Sequence, residues 1–263
     1  MLAPRRARVS DTLLRVSEAA FDHWLAALEQ RHYAELTFPE VRKGLQALST
    51  IYTLKRDKLP GNPIDGRGKQ AAFALFYGVL HFLVVRHVLQ QIGGANPPPT
   101  TIADLGCGTG IGGAAWAIES GASSSIIGIE RNSWALGEAK FTFSSLGLKG
   151  RVLPGDMVRA ELPGAGAAIV AAWSVNEVDD AARAKLLPRL LEAHGKGARV
   201  LIVEPIARAS LHWWDEWAQG FTTAGGRADE WKWRQDLPDA LTKLDRAAKL
   251  DHRQLSCRSL WLG

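Results

Sequence analysis

Residues 102–117 read IADLGCGTGIGGAAWA: a short apolar stretch, five glycines, then small helix-forming residues. Glycine accepts positive φ and lets another group approach the backbone with no Cβ in the way. A bend of this kind constrains the fold on both sides. An apolar strand has to run into it at Asp104 and Leu105, and the helix leaving it presents unsatisfied N–H groups at the strand's carboxyl end. The chain keeps this rhythm from residue 100 onward. Apolar bursts fall at 101–105, 125–130, 151–154, 167–173 and 199–204, with helical stretches at 111–119, 133–146 and 179–194. The bursts are continuous rather than alternating, so each strand is expected to be buried on both faces. Strands that alternate with helices predict an α/β, doubly wound, mostly parallel sheet. A charged helix near 238–249 precedes a last burst at 255–262.

Residues 1–95 have a different texture and read as a helical N-terminal region, a cap or extension, ahead of a second unit at 100–263. Phe21, Trp24, Leu25 and Leu28 fall on one helical stripe, and Leu45, Leu48, Ile51 and Tyr52 repeat the spacing. After the Pro- and Gly-punctuated KLPGNPIDGRGK comes a long apolar helix from about 70 to 91. GGANPPPT then ends it, because three prolines forbid its resumption. The most apolar run, 71–85, is fifteen residues long, contains His81 and is flanked by Lys69 and Arg86, so no membrane span is expected. The basic start MLAPRRARVS lacks the apolar core of a secretory signal and is read as the start of a cytoplasmic protein. Two cysteines, Cys107 and Cys257, exclude a disulfide framework and a Cys-rich metal site. The formal net charge of +5 favours an anionic partner such as RNA.

Open α/β sheets bind ligands at the carboxyl edge, where strand order reverses. Glu130 stands twenty residues beyond Gly110, at the end of the second strand, placed to accept hydrogen bonds from both ribose hydroxyls. The bend is therefore expected to hold a nucleoside-containing cofactor. A dinucleotide fingerprint G-x-G-x-x-G can be laid on Gly108, Gly110 and Gly113, but that register leaves Asp104 unexplained.

The frame D-x-G-x-G-x-G from Asp104 to Gly110 resembles the first motif of class I S-adenosylmethionine-dependent methyltransferases. The resemblance spans residues 100–263 and implies a Rossmann-like sheet with an antiparallel last strand. It implies that Gly106, Cys107, Gly108 and Gly110 pass under the methionine moiety, and that Asp104 helps position its amino group, directly or through water. Glu130 resembles the family's ribose-binding acid. Asp156 and Met157, in GDM after the third strand, resemble the segment whose acid takes the adenine amino group. Trp173, with Ser174, falls where the methyl-transfer site opens. The flanks VRKGLQALSTIYTLKR, WSVNEVDDAARAKLLPRLLEA, VLIVEP and EWKWRQDLPDALTKLDRAA resemble, within that superfamily, the methyltransferase-like proteins associated with assembly of the mitochondrial small ribosomal subunit and their bacterial relatives. That implies RNA or the small ribosomal subunit as partner. Some members hold a metal centre on C-terminal cysteines. Here the corresponding stretch offers Trp231, Trp233 and Cys257, so no such metal cluster is expected.

Methyl transfer from a sulfonium needs proximity, alignment and sometimes a base. In WSVNEVDD, Asn176 is a candidate to orient the acceptor and Glu177 to take its proton. The alternative has Asn176 capping the next helix with Glu177 in its first turn. No N-P-P-Y type motif of amino-group methyltransferases is present, which favours oxygen or a ring position as the acceptor. Tyr77 and His81, one turn apart, either wall the pocket or pack inside. Trp213, Trp214, Trp217, Trp231 and Trp233 form either a stacking platform for a base or apolar filler, with Trp213 and Trp214 not both expected to face inward. Lys55, Arg56, Lys58, Arg67 and Lys69 could grip phosphates. The function expected is a methyltransferase acting on RNA or a ribosomal component; the alternatives are a donor-binding assembly factor with little turnover and a small-molecule methyltransferase with a helical lid.

Overall fold

A computed structural model describes residues 5–54, 63–207 and 211–263, and the side chains of 18–52, 63–207 and 211–263. Helices α1 (Arg5–Tyr33) and α2 (Phe38–Leu54) lead to a 26-residue helix, Arg67–Ile92. This helix consists of α3 (Arg67–Ala72), a π-helical stretch at Phe73–Gly78, and α4 (Val79–Ile92). Strands β1 (Thr101–Leu105), β2 (Ser125–Glu130), β3 (Lys149–Pro154), β4 (Ala168–Ala172) and β5 (Arg199–Glu204) are linked by α5 (Ile111–Glu119), α6 (Ser133–Ser145) and α7 (Asp180–Gly195). After β5 come α8 (Trp214–Thr223), β6 (Arg227–Arg234), α9 (Asp239–Ala247) and β7 (Gln254–Leu262). The seven strands lie in the order β3-β2-β1-β4-β5-β7-β6. The first five are parallel, and β7 runs antiparallel to both β5 and β6.

Successive strand residues feed opposite layers. Ile102, Val170, Leu201 and Val203 belong to one buried apolar cluster, whereas Ala103, Ile169, Val200 and Ile202 belong to the other. This period-2 alternation between two apolar faces is why β1, β4 and β5 read as unbroken apolar runs. Strand β3, at the edge of the sheet, is instead exposed along most of its length, so burial on both faces does not hold for it. The first layer includes Phe21, Trp24, Leu45 and Phe82 from the N-terminal helices together with residues of α5 and α6. The second is closed by α7 and α8. Glu138 of α6 ties α1 down: its carboxylate accepts from Arg31 Nε at 2.9 Å and faces His32 Nε2 at 3.3 Å. Burial works to raise this carboxyl, but His32 and Arg31 outweigh it and hold it below the usual range.

Three expectations change. Helix Arg67–Ile92 is long and apolar enough to cross a membrane, yet 72% of its apolar window is buried inside the protein, so its hydropathy is accounted for by core packing. Strand β6 was not among the expected strands, because exposed Glu230, Lys232 and Arg234 alternate with half-buried Trp231 and Trp233 along it. That pattern suits an edge strand, whose charges discourage further pairing. Finally, Trp213 and Trp214 are both buried, at 4% and 6% exposure. Trp213 precedes the helix proper and packs edge-on to Trp217 at 5.0 Å, while Trp214 lies beneath Arg258 at 5.5 Å.

Candidate functional site

The glycine bend follows β1 as expected, with Gly106, Gly108 and Gly110 at φ of +62°, +52° and +80°. A side chain at Gly106 would collide with Ser174 at 2.6 Å, and one at Gly110 with the Phe143 ring at 2.8 Å. Glycine at these two places therefore serves close packing of the bend against its neighbours. Cys107 N–H donates to Ile129 O at 3.0 Å and stitches the bend to β2.

Gly106, Cys107, Gly108, Thr109, Ile129 and Glu130 line one side of a cavity of about 710 Å³. That volume falls in the range of roughly 300–1,000 Å³ usual for small-molecule sites. The other side is built by Met157, Trp173, Ser174, Asn176 and Glu177. Tyr52, Phe73, Tyr77 and His81 complete the wall from the N-terminal helices. The π-helical stretch lies where the long helix meets the bend: a Cβ on Gly78 would stand 3.2 Å from Thr109 Oγ1. Local widening of a helix at a functional cavity is a common use of this geometry.

Glu130 is held in place before any ligand arrives. Its Oε1 accepts from Arg131 N and Asn132 N at 2.7 and 2.8 Å, and its Oε2 accepts from Gly108 N at 2.9 Å. A carboxylate has about four acceptor positions, so about one remains for a ribose hydroxyl. Asn132 in turn caps α6, accepting from Trp134 N and Ala135 N.

Three expected cofactor contacts are not among the cavity's lining. Asp104 is 1% exposed and accepts from Gly113 N at 2.7 Å, which fastens the first turn of α5 to the end of β1. Burial pushes its carboxyl up to about 7. Gly110 is turned into the α6 packing. Asp156 pairs with Arg131 Nη2 at 2.7 Å and accepts from Val158 N, so its carboxylate sits below the usual range while Gly155 and Met157 face the cavity.

The turn after β4 carries the candidate catalytic pair. Trp173 has φ +55°, rare for a large side chain, and its ring stacks on His81 with centroids 3.7 Å apart and planes 5° from parallel. His81, which was expected either as wall or as core, is wall. Burial, with His252 nearby, lowers it to about 3, so it is neutral at physiological pH. Asn176 and Glu177 lie in a 3₁₀ turn, Val175–Glu177. Neither begins α7, because Asp179 takes the cap position and accepts from Ala182 N. Asn176 Oδ1 accepts from Trp213 Nε1 at 3.5 Å. Glu177 opens onto the cavity, yet the surrounding walls exclude enough water to raise its carboxyl.

Two residues were missed by sequence reasoning. Thr109 Oγ1 is buried without a hydrogen-bond partner and borders the cavity. Glu204, at the end of β5, borders it too and is fully buried. An acid closing an apolar strand is a visible signal, but only the β4–β5 pairing brings it beside Glu177. Trp231 and Trp233 are away from the cavity. Trp231 donates to Ser259 Oγ at 2.8 Å and Trp233 stacks on His87 at 3.9 Å, so they form no platform beside the bend. Arg67 pairs with Glu35 and Lys69 with Asp65, while Lys55, Arg56 and Lys58 lie outside the described residues.

No protein-family model matches the chain, and no curated protein matches its sequence. Among solved structures, the chain is similar to a protein assigned as an O-methyltransferase from Nostoc punctiforme, with a TM-score of 0.50 and 12% identity over 85% of this chain and 70% of that one. It is also similar to a SAM-dependent methyltransferase from Aquifex aeolicus, with a TM-score of 0.42 and 16% identity over 65% of this chain and 86% of that one. A protein assigned as an RNA methyltransferase from Pyrococcus horikoshii gives a TM-score of 0.44 and 12% identity over 82% of this chain and 95% of that one. With its seven strands in the order β3-β2-β1-β4-β5-β7-β6, the chain has a Rossmann-like methyltransferase fold.

Proposed function

We propose that this chain is a methyltransferase that uses S-adenosylmethionine and binds its acceptor in the same helix-covered cavity. The observation that carries the reading is the convergence of the glycine bend, the Glu130 carboxylate and the Asn176–Glu177 turn on one cavity. The residues fit the donor. Gly108 has open space where a Cβ would stand, and Thr109 Oγ1 is a buried hydroxyl without a partner. Glu130 would take a ribose hydroxyl, and Met157 and Trp134 would pack around the nucleoside. When bound, S-adenosylmethionine supplies an activated methyl group on a sulfonium. The chain's own part is to exclude water with the Tyr77–His81–Trp173 wall, to orient the acceptor with Asn176 and to hold its proton at Glu177.

Calorimetric titration with S-adenosylmethionine tests the premise. Glu130→Ala is expected to weaken binding at least about tenfold, the scale of one hydrogen bond to a charged group. Unchanged binding by this variant removes the assigned nucleoside site. A second reading, with RNA or a component of the small ribosomal subunit as acceptor, is favoured by the net charge of +5. Transfer of labelled methyl to RNA, protein and metabolite fractions separates the readings. Label in RNA supports the second, label among metabolites supports a small acceptor, and label in no fraction supports a donor-binding factor without turnover.

A further inference from the structure

Glu204 is 0% exposed at the carboxyl end of β5. Its Oε1 accepts from Val175 N at 3.0 Å and Asn176 N at 3.1 Å, while Oε2, equally shielded, has no partner. Both Glu204 and Glu177 border the cavity, together with Asn176, Trp173, Tyr77 and Tyr52. A buried carboxylate oxygen without a donor is costly, whereas the same oxygen carrying a proton is a hydrogen-bond donor in search of an acceptor. Burial above all, with Glu177 adding to it, pushes Glu204 up to about 8. The backbone N–H groups of Asn176 and Val175, and Arg183, act in the opposite direction. A neutral acid and a more open carboxylate thus border the same cavity, one able to donate and the other to accept.

We propose that Glu204 and Glu177 form the acceptor subsite, and that it takes an uncharged planar aromatic molecule through its hydroxyl, with Glu204 donating to that oxygen and Glu177 accepting its proton in a hydrogen bond. The inference rests on the methyl-transfer reading above. A hydroxyl both donates and accepts, which matches the pair. An ammonium group has three donors and no lone pair to meet the Glu204 hydroxyl. Tyr52, Tyr77 and Trp173 offer apolar ring surface to a flat molecule. A phosphate would face two carboxyl groups. Among the described residues lining the cavity, Arg131 is the single Arg or Lys, and it is paired with Asp156.

Naphthol, naphthyl phosphate and naphthylmethylamine, each titrated calorimetrically into the full chain, test the inference, with S-adenosylmethionine affinity measured in parallel. Naphthol is expected to bind at least about tenfold more tightly than the other two. Glu204→Gln keeps an oxygen for the two backbone N–H groups and a donor at the open position, so naphthol affinity should stay within about twofold. Glu204→Leu and Glu177→Ala should each lose about tenfold in naphthol affinity while S-adenosylmethionine binds as before. The inference is overturned if naphthol gives no binding, if the phosphate or the amine binds as tightly, or if Glu204→Gln loses as much as Glu204→Leu. It is also overturned if both Glu204→Leu and Glu177→Ala bind naphthol like the wild type. Any of these with S-adenosylmethionine binding intact leaves the methyl-transfer reading standing. Failure of the wild-type chain to bind S-adenosylmethionine overturns that reading, and the acceptor role with it.

Discussion

Two buried acids at strand ends make the protein less stable as pH rises, while the lowered His81 makes it less stable as pH falls. Asp104 and Glu204 are raised to about 7 and about 8 from ordinary values of 3.8 and 4.5, in both cases chiefly by burial. The folded chain therefore keeps protons that the unfolded chain releases over this window. Stability is fully present below the unfolded values and is lost as pH rises through the folded ones. Urea unfolding is expected to show lower stability at pH 9 than at pH 5. Glu204→Gln should recover on the order of 1–4 kcal/mol at pH 9 and much less at pH 5. An equal gain at both pH values would mean that Glu204 is not titrating in the folded state. Trp173 is the other residue where local rules yield. Its left-handed backbone costs about 1–3 kcal/mol. Its N–H still donates to Val203 O at 2.8 Å while the ring stacks on His81, so the strain is held by contacts on both sides.

At the scale of elements, the turn after β4 depends on α7. Arg183, 7% exposed, donates through Nη1 to Val175 O at 3.1 Å and to Val178 O, and its Nη2 pairs with Asp180 at 2.6 Å. It thereby grips both ends of the segment that presents Asn176 and Glu177, acting as a positioning residue without bordering the cavity. Arg183→Ala leaves buried carbonyls without donors and should cost about 1–3 kcal/mol in urea unfolding. The same variant should lower acceptor affinity more than S-adenosylmethionine affinity, because Glu130 and the glycine bend are held by other contacts. Equal losses in both would show that Arg183 supports the whole cavity rather than this turn. The long helix plays the matching role on the opposite wall: its π-helical stretch brings Phe73 and Tyr77 to the cavity, and His81 follows one turn into α4.

Over the whole molecule, the N-terminal helices and the sheet share one apolar layer. Trp24, 1% exposed, packs on Phe82 at 5.2 Å and Phe21 at 5.9 Å, and the same cluster continues to Ile102, Val170 and Trp261. Trp24→Ala should cost about 3–5 kcal/mol. Because the layer is continuous, the loss should appear as one shifted unfolding transition followed by both tryptophan fluorescence and circular dichroism. Two separated transitions would mean that the helical layer unfolds independently of the sheet.

The strand–glycine–helix rhythm, the parallel sheet and the pairing of the bend with Glu130 were legible in the sequence. Each depends on local rules: glycine φ, period-2 or period-3.6 burial, and a fixed chain distance from one strand end to the next. Strand β6 and the shared burial of Trp213 and Trp214 were not legible, because an edge strand and the residue before a helix are shaped by what packs on them. The contrast is sharpest between Asp104 and Glu204. The family resemblance offers Asp104 as a ligand-facing acid, but tertiary packing closes α5 over it. Glu204, within VLIVEP, was not singled out as a site residue, yet the β4–β5 register and the Val175–Glu177 turn bring it to the same cavity as Glu177. Which strand-end acid meets the cavity depends on helix packing and strand pairing across tens of residues, a choice that only the folded chain makes.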